Sequence, residues 1–190
     1  MIAETVKRSR SFRSFDSRVK IDNDTLLGFI DNARIASATM NLQPLKYRIV
    51  NTPEEVAATL KLTRWAASLS IKLPPEGHAP TAYIVVCFDN NVVEDAEKFQ
   101  KDVGICAQTI MLAAAEAGFG GCMISSFSPI ELKKGLQLPA NISPALVLAF
   151  GKSNETVEIV DESSDGSVTY YRENGIHYVQ KRTLEHLIVK

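Results

Sequence analysis

Apolar side chains recur along the chain at spacings that predict helices alternating with strands. Residues 24–35 carry them at helical intervals, and residues 95–117 repeat them every three or four positions, which predicts the longest helix. Residues 81–88 are instead rich in β-branched and aromatic side chains and follow the clearest break in the sequence, so they predict a buried strand. Because these elements share one chain of ordinary domain length, the pattern predicts a single α+β domain over residues 1–190.

Capping and turn residues predict the remaining boundaries. Asp24 or Thr25 is the expected cap of the helix at 24–35, and Thr52 followed by Pro53 opens another helix. The run from Gly118 to Gly121 stops the longest helix, because glycine adopts backbone angles that other residues resist. The other predicted elements are helices over residues 3–8, 129–136 and 183–188 and strands over residues 47–50 and 145–150, with short strands in the C-terminal stretch before the last helix.

The composition is that of an ordinary globular protein. Of the 190 residues, 45% are hydrophobic and 23% are charged, and the length is sufficient for a sizeable core. The longest wholly apolar runs are far too short to cross a bilayer, and the N-terminal charges are not followed by the apolar stretch of a secretory signal. We therefore expect a cytoplasmic protein with no membrane partner.

The cysteines and histidines favour neither a disulfide framework nor a metal site. Cys87, Cys106 and Cys122 are odd in number, widely spaced and set in apolar surroundings, which favours reduced thiols in the core. The histidines show no ligand spacing with one another or with a cysteine. The sequence therefore predicts no bound metal.

Positive charge is concentrated at the start of the chain. Six of the 21 lysine and arginine residues fall in the first twenty positions, although the formal net charge of the protein is −1. Arginine makes paired hydrogen bonds to phosphate oxygens and serine adds a hydroxyl donor, so Arg10, Ser11 and Arg13 are candidates to surround a phosphate monoester. Taken alone, such a run is more often a solvated surface, and nucleic-acid binding is a weaker alternative because the run is short. The remaining cations of the segment, Lys7, Arg18 and Lys20, are interpreted as ordinary surface charges.

A polar loop precedes the first long strand. Between Ser37 and Pro44 it offers backbone donors and the side-chain amides of Asn41 and Gln43. An amide both donates and accepts hydrogen bonds, which matches the alternating polar edge of a heterocycle such as the flavin pyrimidine. Without other evidence, the same loop is a plain connection between a helix and a strand.

Three further features have a functional and a structural interpretation. The glycine run 118–121 lets the backbone approach a planar ring closely, although by default it only ends a helix. Lys181 and Arg182 form a second isolated pair of cations, whose ordinary place is a solvated surface. Trp65 lies in a stretch without an assignable pattern, residues 62–80, and is interpreted as a core or interface residue rather than a substrate-facing ring.

Four of these segments resemble, in order and spacing, the motifs of the FMN-dependent nitroreductase family (nitro/flavin reductase fold). They are the basic opening, the loop of residues 37–44, the glycine run 118–121 and the Lys181–Arg182 pair. The resemblance covers essentially the whole chain. It implies an α+β three-layer fold with a central mixed or antiparallel sheet flanked by helices, in an intertwined homodimer. In the family, a motif similar to Ser9–Arg13 binds the FMN phosphate and ribityl chain, and a loop similar to Ser37–Pro44 reaches the flavin from the other subunit. The cofactor-binding residues implied are Arg10, Ser11, Arg13, Ser37, Ala38, Thr39, Asn41, Gln43, Gly120, Gly121, Lys181 and Arg182.

The sequence departs from the family pattern at three places. Ser9 replaces the first arginine of the usual pair, with Arg8 beside it as the candidate substitute. Ser37 stands where proline is frequent, and Leu45 stands where an aromatic residue is common. These departures leave FMN binding as the expectation and the electron acceptor open.

The resemblance also implies the chemistry. FMN carries the redox reaction, so no catalytic side chain is expected. NADH or NADPH passes a hydride to the flavin and leaves, and a nitroaromatic, quinone or related acceptor then takes the electrons in a ping-pong cycle. Arg13 is the candidate donor near flavin N1 and O2 that favours the anionic reduced ring.

Two alternatives to this function stay open. One is an FMN-binding protein of the same fold with other chemistry, such as reductive dehalogenation or flavin destruction. The other is a non-enzymatic module that binds an anion or nucleic acid through the basic N-terminus.

Overall fold

An antiparallel sheet organises the first part of the chain. A computed structural model describes residues 1–65 and 71–189, and Met1–Ser153 forms one compact unit. Within the described residues, its strands are β1 (Phe15–Asp16), β2 (Leu45–Val50), β3 (Ala82–Asp89), β4 (Gly120–Ile124) and β5 (Ile142–Ser153). They lie in the order β1–β5–β3–β2, β4 also pairs with β5, and every pairing between these strands is antiparallel.

The helices of this unit follow the predicted positions closely. In the part of the chain that the structure describes, they are α1 (Ile2–Arg8), α2 (Asn23–Arg34), α3 (Pro53–Leu62), α4 (Gln100–Glu116) and α5 (Pro129–Gly135). The predicted first turn of the longest helix is a separate 3₁₀ segment, Ala96–Phe99, after which α4 begins. No helix among the described residues is long and apolar enough to cross a membrane.

Side-chain caps fix the starts of several described helices, among them α2 and α3. The Thr52 hydroxyl accepts from the Glu55 amide and caps α3, as predicted. The cap of α2 is Asp22 rather than Asp24 or Thr25, because the Asp22 carboxylate accepts from the Thr25 amide at 2.7 Å. The prediction was wrong by two or three positions because several residues in this polar run are equally good caps by type.

Strand β3 is buried along most of its length and separates two apolar clusters. On one face, Ile84 packs with Phe29 of α2 and Ile110 of α4. On the other face, Tyr83 packs with Leu132 of α5, and α3 covers the same side. Burying each large apolar side chain contributes about 1.5–3 kcal/mol, and successive strand residues supply the two faces alternately. The helices on both faces confirm the predicted three-layer α+β fold.

The glycine run that was expected to end the longest helix also begins a strand. Gly118 has a φ of 80° and follows α4, and β4 starts two residues later. A Cβ on Gly120 would lie 2.6 Å from the Phe12 ring, and one on Gly121 would lie 2.7 Å from the Ala149 carbonyl oxygen. Packing within the sheet therefore requires both glycines.

Asn154–Lys190 forms a second compact unit around a small sheet. Its described strands are β6 (Thr156–Asp161), β7 (Tyr171–Glu173) and β8 (Ile176–Lys181), followed by α6 (Leu184–Leu187). Strand β8 pairs with β6 in parallel and with β7 in antiparallel orientation, across a tight turn at Asn174 and Gly175. These elements confirm the predicted C-terminal strands and last helix, while a single domain over residues 1–190 stays a prediction.

All three cysteines are buried thiols, as predicted. Cys87 on β3 and Cys122 on β4 share one apolar cluster, and Cys106 on α4 belongs to the other. Burial raises the pKa of Cys87 to about 12, because apolar surroundings disfavour the thiolate. These thiols are therefore part of the packing of the sheet and its helices.

Candidate functional site

The basic N-terminal segment runs from α1 onto strand β4. Ser11 forms a parallel bridge with Gly121, and the Phe12 amide donates to the Gly121 carbonyl oxygen at 2.9 Å. The Phe12 ring covers Gly120, where a side chain would not fit. The structure thus brings together two of the four predicted segments, the basic opening and the glycine run.

Arg10 is a half-buried cation with an unused donor. Its Nη2 donates to the Val6 carbonyl oxygen at 2.6 Å, and its buried Nε has no hydrogen-bond partner among the described residues. Burial lowers the pKa of Arg10 because less water solvates the guanidinium, although arginine stays protonated at neutral pH. A buried donor without an acceptor is costly, so an anion bound here would stabilise the segment.

Arg13 lines a cavity of about 150 Å³ beside β4. Its Nη1 donates to the Ser11 carbonyl oxygen at 3.3 Å, which holds the guanidinium near the bridge to β4. Arg64, Trp65 and residues 122–126 complete the lining, which has two guanidinium groups and no carboxylate within the described residues. The charge and the aromatic wall suit an anionic ligand with a planar ring.

Trp65 is held between this cavity and the core. Its ring meets Phe15 edge-on at 6.5 Å between centroids, and its Nε1 donates to the Thr63 hydroxyl at 3.1 Å. These contacts support its interpretation as a core residue that also forms a cavity wall. Arg64 was not among the predicted site residues, and its amide donates to the Ser126 carbonyl oxygen at 2.8 Å. Ser125 and Ser126 follow the apolar end of β4 and line the same cavity. This polar pair is the sequence feature that could have indicated a site at the end of β4.

The loop between α2 and β2 is fixed by a buried carboxylate. The Thr39 amide donates to Asp102 Oδ1 and Oδ2 at 3.1 and 3.0 Å, and its hydroxyl donates to Oδ1 at 2.7 Å. Met40, Asn41 and Gln43 have φ values of 52°, 54° and 48°, a left-handed region that residues other than glycine rarely adopt. Asp102 was not among the predicted site residues, because by type and position it is an ordinary acidic residue in the first turn of a helix.

The other predicted residues of this loop are mostly at the surface. Ser37, Asn41 and Gln43 are exposed, and Gln43 Nε2 donates to the Asn41 carbonyl oxygen at 3.3 Å and to its Oδ1 at 3.2 Å. Ala38 is half-buried and lines a cavity of about 290 Å³ between α2, β2 and α4, together with Asp102. The loop therefore presents two linked amides on an exposed edge.

The loop and the basic segment lie at opposite ends of helix α4. Thr39 is tied to Asp102 in the first turn of α4, whereas Arg8 contacts Glu116 in its last turn at 2.8 Å. At 1.5 Å of rise per residue, these two anchor points on α4 are roughly 20 Å apart. Within one chain, the structure does not bring the loop to the basic segment.

Several of the N-terminal cations already have acidic partners. Arg8, the candidate substitute for the missing arginine, pairs with Glu116, and Lys7 pairs with Glu4 at 3.2 Å. Arg18 pairs with Asp16 at 2.8 Å and lowers the pKa of that carboxyl to about 2 through their hydrogen bonds. These pairs place Arg8 with the surface charges, whereas Arg10 and Arg13 lie at the β4 edge.

The predicted C-terminal cations lie in the second unit. Arg182 is 3.5 Å from the carboxylate of Glu162, which also accepts hydrogen bonds from the Thr183 amide and from His186. These contacts, the Thr183 amide above all, lower the pKa of Glu162. Lys181 is exposed at the end of β8. Arg182 therefore has an acidic neighbour in its own unit that the sequence analysis did not anticipate.

The fold and the β4 edge define a class of protein: a three-layer α+β protein whose basic N-terminal segment is held against an edge of the sheet. The sequence model of the nitroreductase family, described as "Nitroreductase family", matches residues 6–152. The chain therefore belongs to the nitroreductase family, which confirms the resemblance and the predicted class of enzyme. The match covers the basic segment, the loop and the glycine run, and it ends at the boundary of the first unit. Lys181 and Arg182 lie outside it.

Solved structures of the family have the same fold. A nitroreductase family protein from Streptococcus pneumoniae is 17% identical and matches 100% of both chains with a TM-score of 0.74. An FMN-dependent nitroreductase from Clostridium difficile is 20% identical over 80% of this chain and 87% of its own, with a TM-score of 0.64. The NADPH:FMN oxidoreductase from Vibrio harveyi, complexed with NAD+, is 23% identical over 81% of this chain and 69% of its own, also with a TM-score of 0.64. At these identities the likeness confirms the predicted fold.

Proposed function

We propose that this chain is an FMN-dependent oxidoreductase that moves electrons from NADH or NADPH to nitroaromatic, quinone or related acceptors. Membership of the nitroreductase family supports the class of enzyme, and two structural neighbours are named for FMN. The observation that carries the proposal is the bridge between Ser11 and Gly121, which places Arg10 and its unused donor at the edge of β4.

The residues at this edge fit an FMN phosphate. Arg10 and Arg13 supply guanidinium groups and Ser11 a hydroxyl, and these are the groups that bind a phosphate dianion through charge-assisted hydrogen bonds. Gly120 and Gly121 are proposed at the flavin ring on the resemblance alone, because Phe12, Ala149 and Met111 already fill the space that their side chains would take. The resemblance alone adds Lys181 and Arg182 to the cofactor-binding residues, and that assignment stays a prediction.

The protein contributes binding and orientation, and bound FMN supplies the capacity to accept a hydride and to return two electrons. We therefore assign no side chain as a general base or nucleophile. The finer proposal is a ping-pong cycle, in which NADH or NADPH delivers its hydride and leaves before the acceptor enters. Arg13 lines the cavity beside β4. We propose it as the positive charge that would stabilise the negative charge of the reduced flavin ring.

A complete site is proposed to need two copies of the chain. The basic segment and the loop of Ser37, Asn41 and Gln43 are anchored roughly 20 Å apart along α4, so one chain alone does not surround a single ligand with both. A symmetric dimer places the loop of one subunit against the basic segment of the other, twice. The loop also exposes apolar side chains, with Met40 76% and Leu42 44% exposed, which suits a surface that a second copy covers.

Purification with added FMN tests this proposal. We expect a yellow protein of dimeric mass that NADH or NADPH bleaches without oxygen and that a nitroaromatic or a quinone then restores to yellow. A colourless protein that does not take up FMN would contradict the function. If NADH or NADPH bleaches the protein but neither a nitroaromatic nor a quinone restores the yellow colour, the result would instead favour the alternative chemistry on the same fold.

A further inference from the structure

Asp102 is a buried carboxylate whose hydrogen bonds all come from one loop residue. Its side chain is in the first turn of α4 and is 1% exposed, and within the described residues it accepts only from the amide and hydroxyl of Thr39. A buried charge is costly unless hydrogen bonds replace the lost water, and an acidic side chain near a helix N-terminus is also favoured by the helix dipole. The two donors of Thr39 are therefore committed to Asp102.

The neighbouring cations do not compete for this carboxylate. Arg34 and Lys46 line the same cavity as Asp102. Arg34 is paired with Asp31 at 2.6 Å, and Lys46 lies 4.0 Å from Asp89. The Asp102–Thr39 contact is thus a polar link between α4 and the loop.

The loop that follows Thr39 is held in an unfavourable backbone conformation. Met40, Asn41 and Gln43 all have positive φ, and asparagine alone among them tolerates this region well. Such residues persist when the surrounding structure fixes them, and they concentrate at ligand-binding positions. The anchor at Thr39 lies immediately before the first of the three.

We propose that Asp102 is a positioning residue for the loop between α2 and β2 and that Thr39 is its anchor rather than a ligand of the cofactor. By holding Thr39 through three hydrogen bonds, Asp102 stabilises the left-handed turn that presents the linked amides of Asn41 and Gln43. The inference rests on the proposed function only in its last step, that these amides meet FMN. The anchor itself is a property of the chain without cofactor.

Hydrogen exchange and FMN titration of four variants test this role. Asp102→Asn keeps the volume but replaces one of the two acceptor oxygens that face Thr39 with an NH2 donor, and Thr39→Val removes only the hydroxyl. Thr39→Ser keeps both donors. Asp22→Asn is a matched control, because Asp22 accepts from the amide and hydroxyl of Thr25 in the same way, at 2.7 and 3.0 Å, yet caps the distant end of α2.

Exchange is measured on cofactor-free protein, at the amides of Thr39, Asn41 and Leu42. We expect Asp102→Asn and Thr39→Val to accelerate their exchange at least about tenfold, and to weaken FMN binding about tenfold in a fluorescence titration. Thr39→Ser should recover most of the protection, and Asp22→Asn should behave as the wild type. The inference would be overturned if these amides exchanged at the wild-type rate in both Asp102→Asn and Thr39→Val.

The two proposals fail in distinguishable ways. A wild-type protein that does not bind FMN overturns the proposed function, and the exchange rates still decide whether Asp102 anchors the loop. Faster exchange with unchanged FMN affinity overturns the positioning role. If Asp102→Asn does not fold, Thr39→Val carries the test, because valine has nearly the shape of threonine.

Discussion

Ser11 and Gly121 form a parallel β-bridge, although they are distant in sequence. The bridge extends the sheet from β4 onto the N-terminal segment. The position of Arg10 therefore depends on a strand that lies more than 100 residues further along the sequence. Phe12 closes over Gly120 at the same place. The edge that carries Arg10 is thus built by the sheet and not by a flexible basic tail.

Replacing Arg10 and Arg13 together with alanine is expected to weaken FMN binding at least about 100-fold. Hydrogen bonds to charged groups contribute about 1.5–3 kcal/mol each, and about 1.4 kcal/mol corresponds to a tenfold change in affinity. The measurement is a titration of FMN fluorescence with cofactor-free protein. The control is Arg18→Ala, because Arg18 is exposed and paired with Asp16. Unchanged affinity in the double variant would mean that the phosphate assignment is wrong.

Gly121→Ala is expected to lower the free energy of unfolding by about 1–3 kcal/mol, the usual cost of overpacking. The new Cβ would lie 2.7 Å from the Ala149 carbonyl oxygen and 2.9 Å from Met111 Cε. Gly28→Ala is the matched control, because a Cβ at this position of α2 would meet nothing within 4 Å. There alanine should stabilise by about 0.5–1 kcal/mol through helix propensity. Urea unfolding measures both, and equal midpoints for Gly121→Ala and wild type would contradict the packing role.

Sequence periodicity predicted the elements that bury a regular apolar face, such as α2, α4 and β3. It did not predict β4, because the strand is short, begins with two glycines and has only a few apolar residues before the serine pair. Nor could it relate Thr39 to Asp102, since that contact joins a loop to a helix turn 63 positions away and each residue is ordinary in its own segment. Local pattern identifies elements and motif residues, whereas the anchors of the site depend on tertiary contacts.

Cys87 is expected to make the folded protein lose stability as the solution becomes alkaline. Burial raises the pKa of its thiol to about 12, whereas the thiol of an unfolded chain has a pKa of about 8.5. Above that lower value the unfolded state releases a proton that the folded state keeps, so stability falls from about pH 8.5 towards pH 12.

The check on Cys87 is the urea midpoint of wild type and Cys87→Ala between about pH 7 and pH 10.5. The alanine variant is less stable throughout because it leaves a small cavity, but its midpoint should decline less steeply. Buried Tyr83, whose pKa burial also raises, is present in both proteins and cancels in the comparison. Equal slopes would show that the Cys87 thiol does not titrate as expected.

Two variants that each bind FMN poorly are expected to recover FMN binding when they are mixed, if the site is shared between subunits. One variant carries Arg10→Ala and Arg13→Ala, and the other carries Asn41→Ala and Gln43→Ala. In a mixed dimer, one site receives the intact basic segment of the second variant and the intact loop of the first, whereas the other site receives both defects. Refolding the two variants together in equal amounts should therefore restore about a quarter of the FMN sites, because half of the dimers are mixed and each has one intact site.

The readout of this mixing experiment is FMN bound per chain at a concentration that saturates only intact sites. Each variant refolded alone is the control and should stay near its own low occupancy. If the basic segment and the loop of the same chain met in one site, every chain would keep a defect and mixing would restore nothing. The roughly 20 Å between their anchor points on α4 favours recovery, because that separation leaves the loop of one subunit free to serve the basic segment of the other.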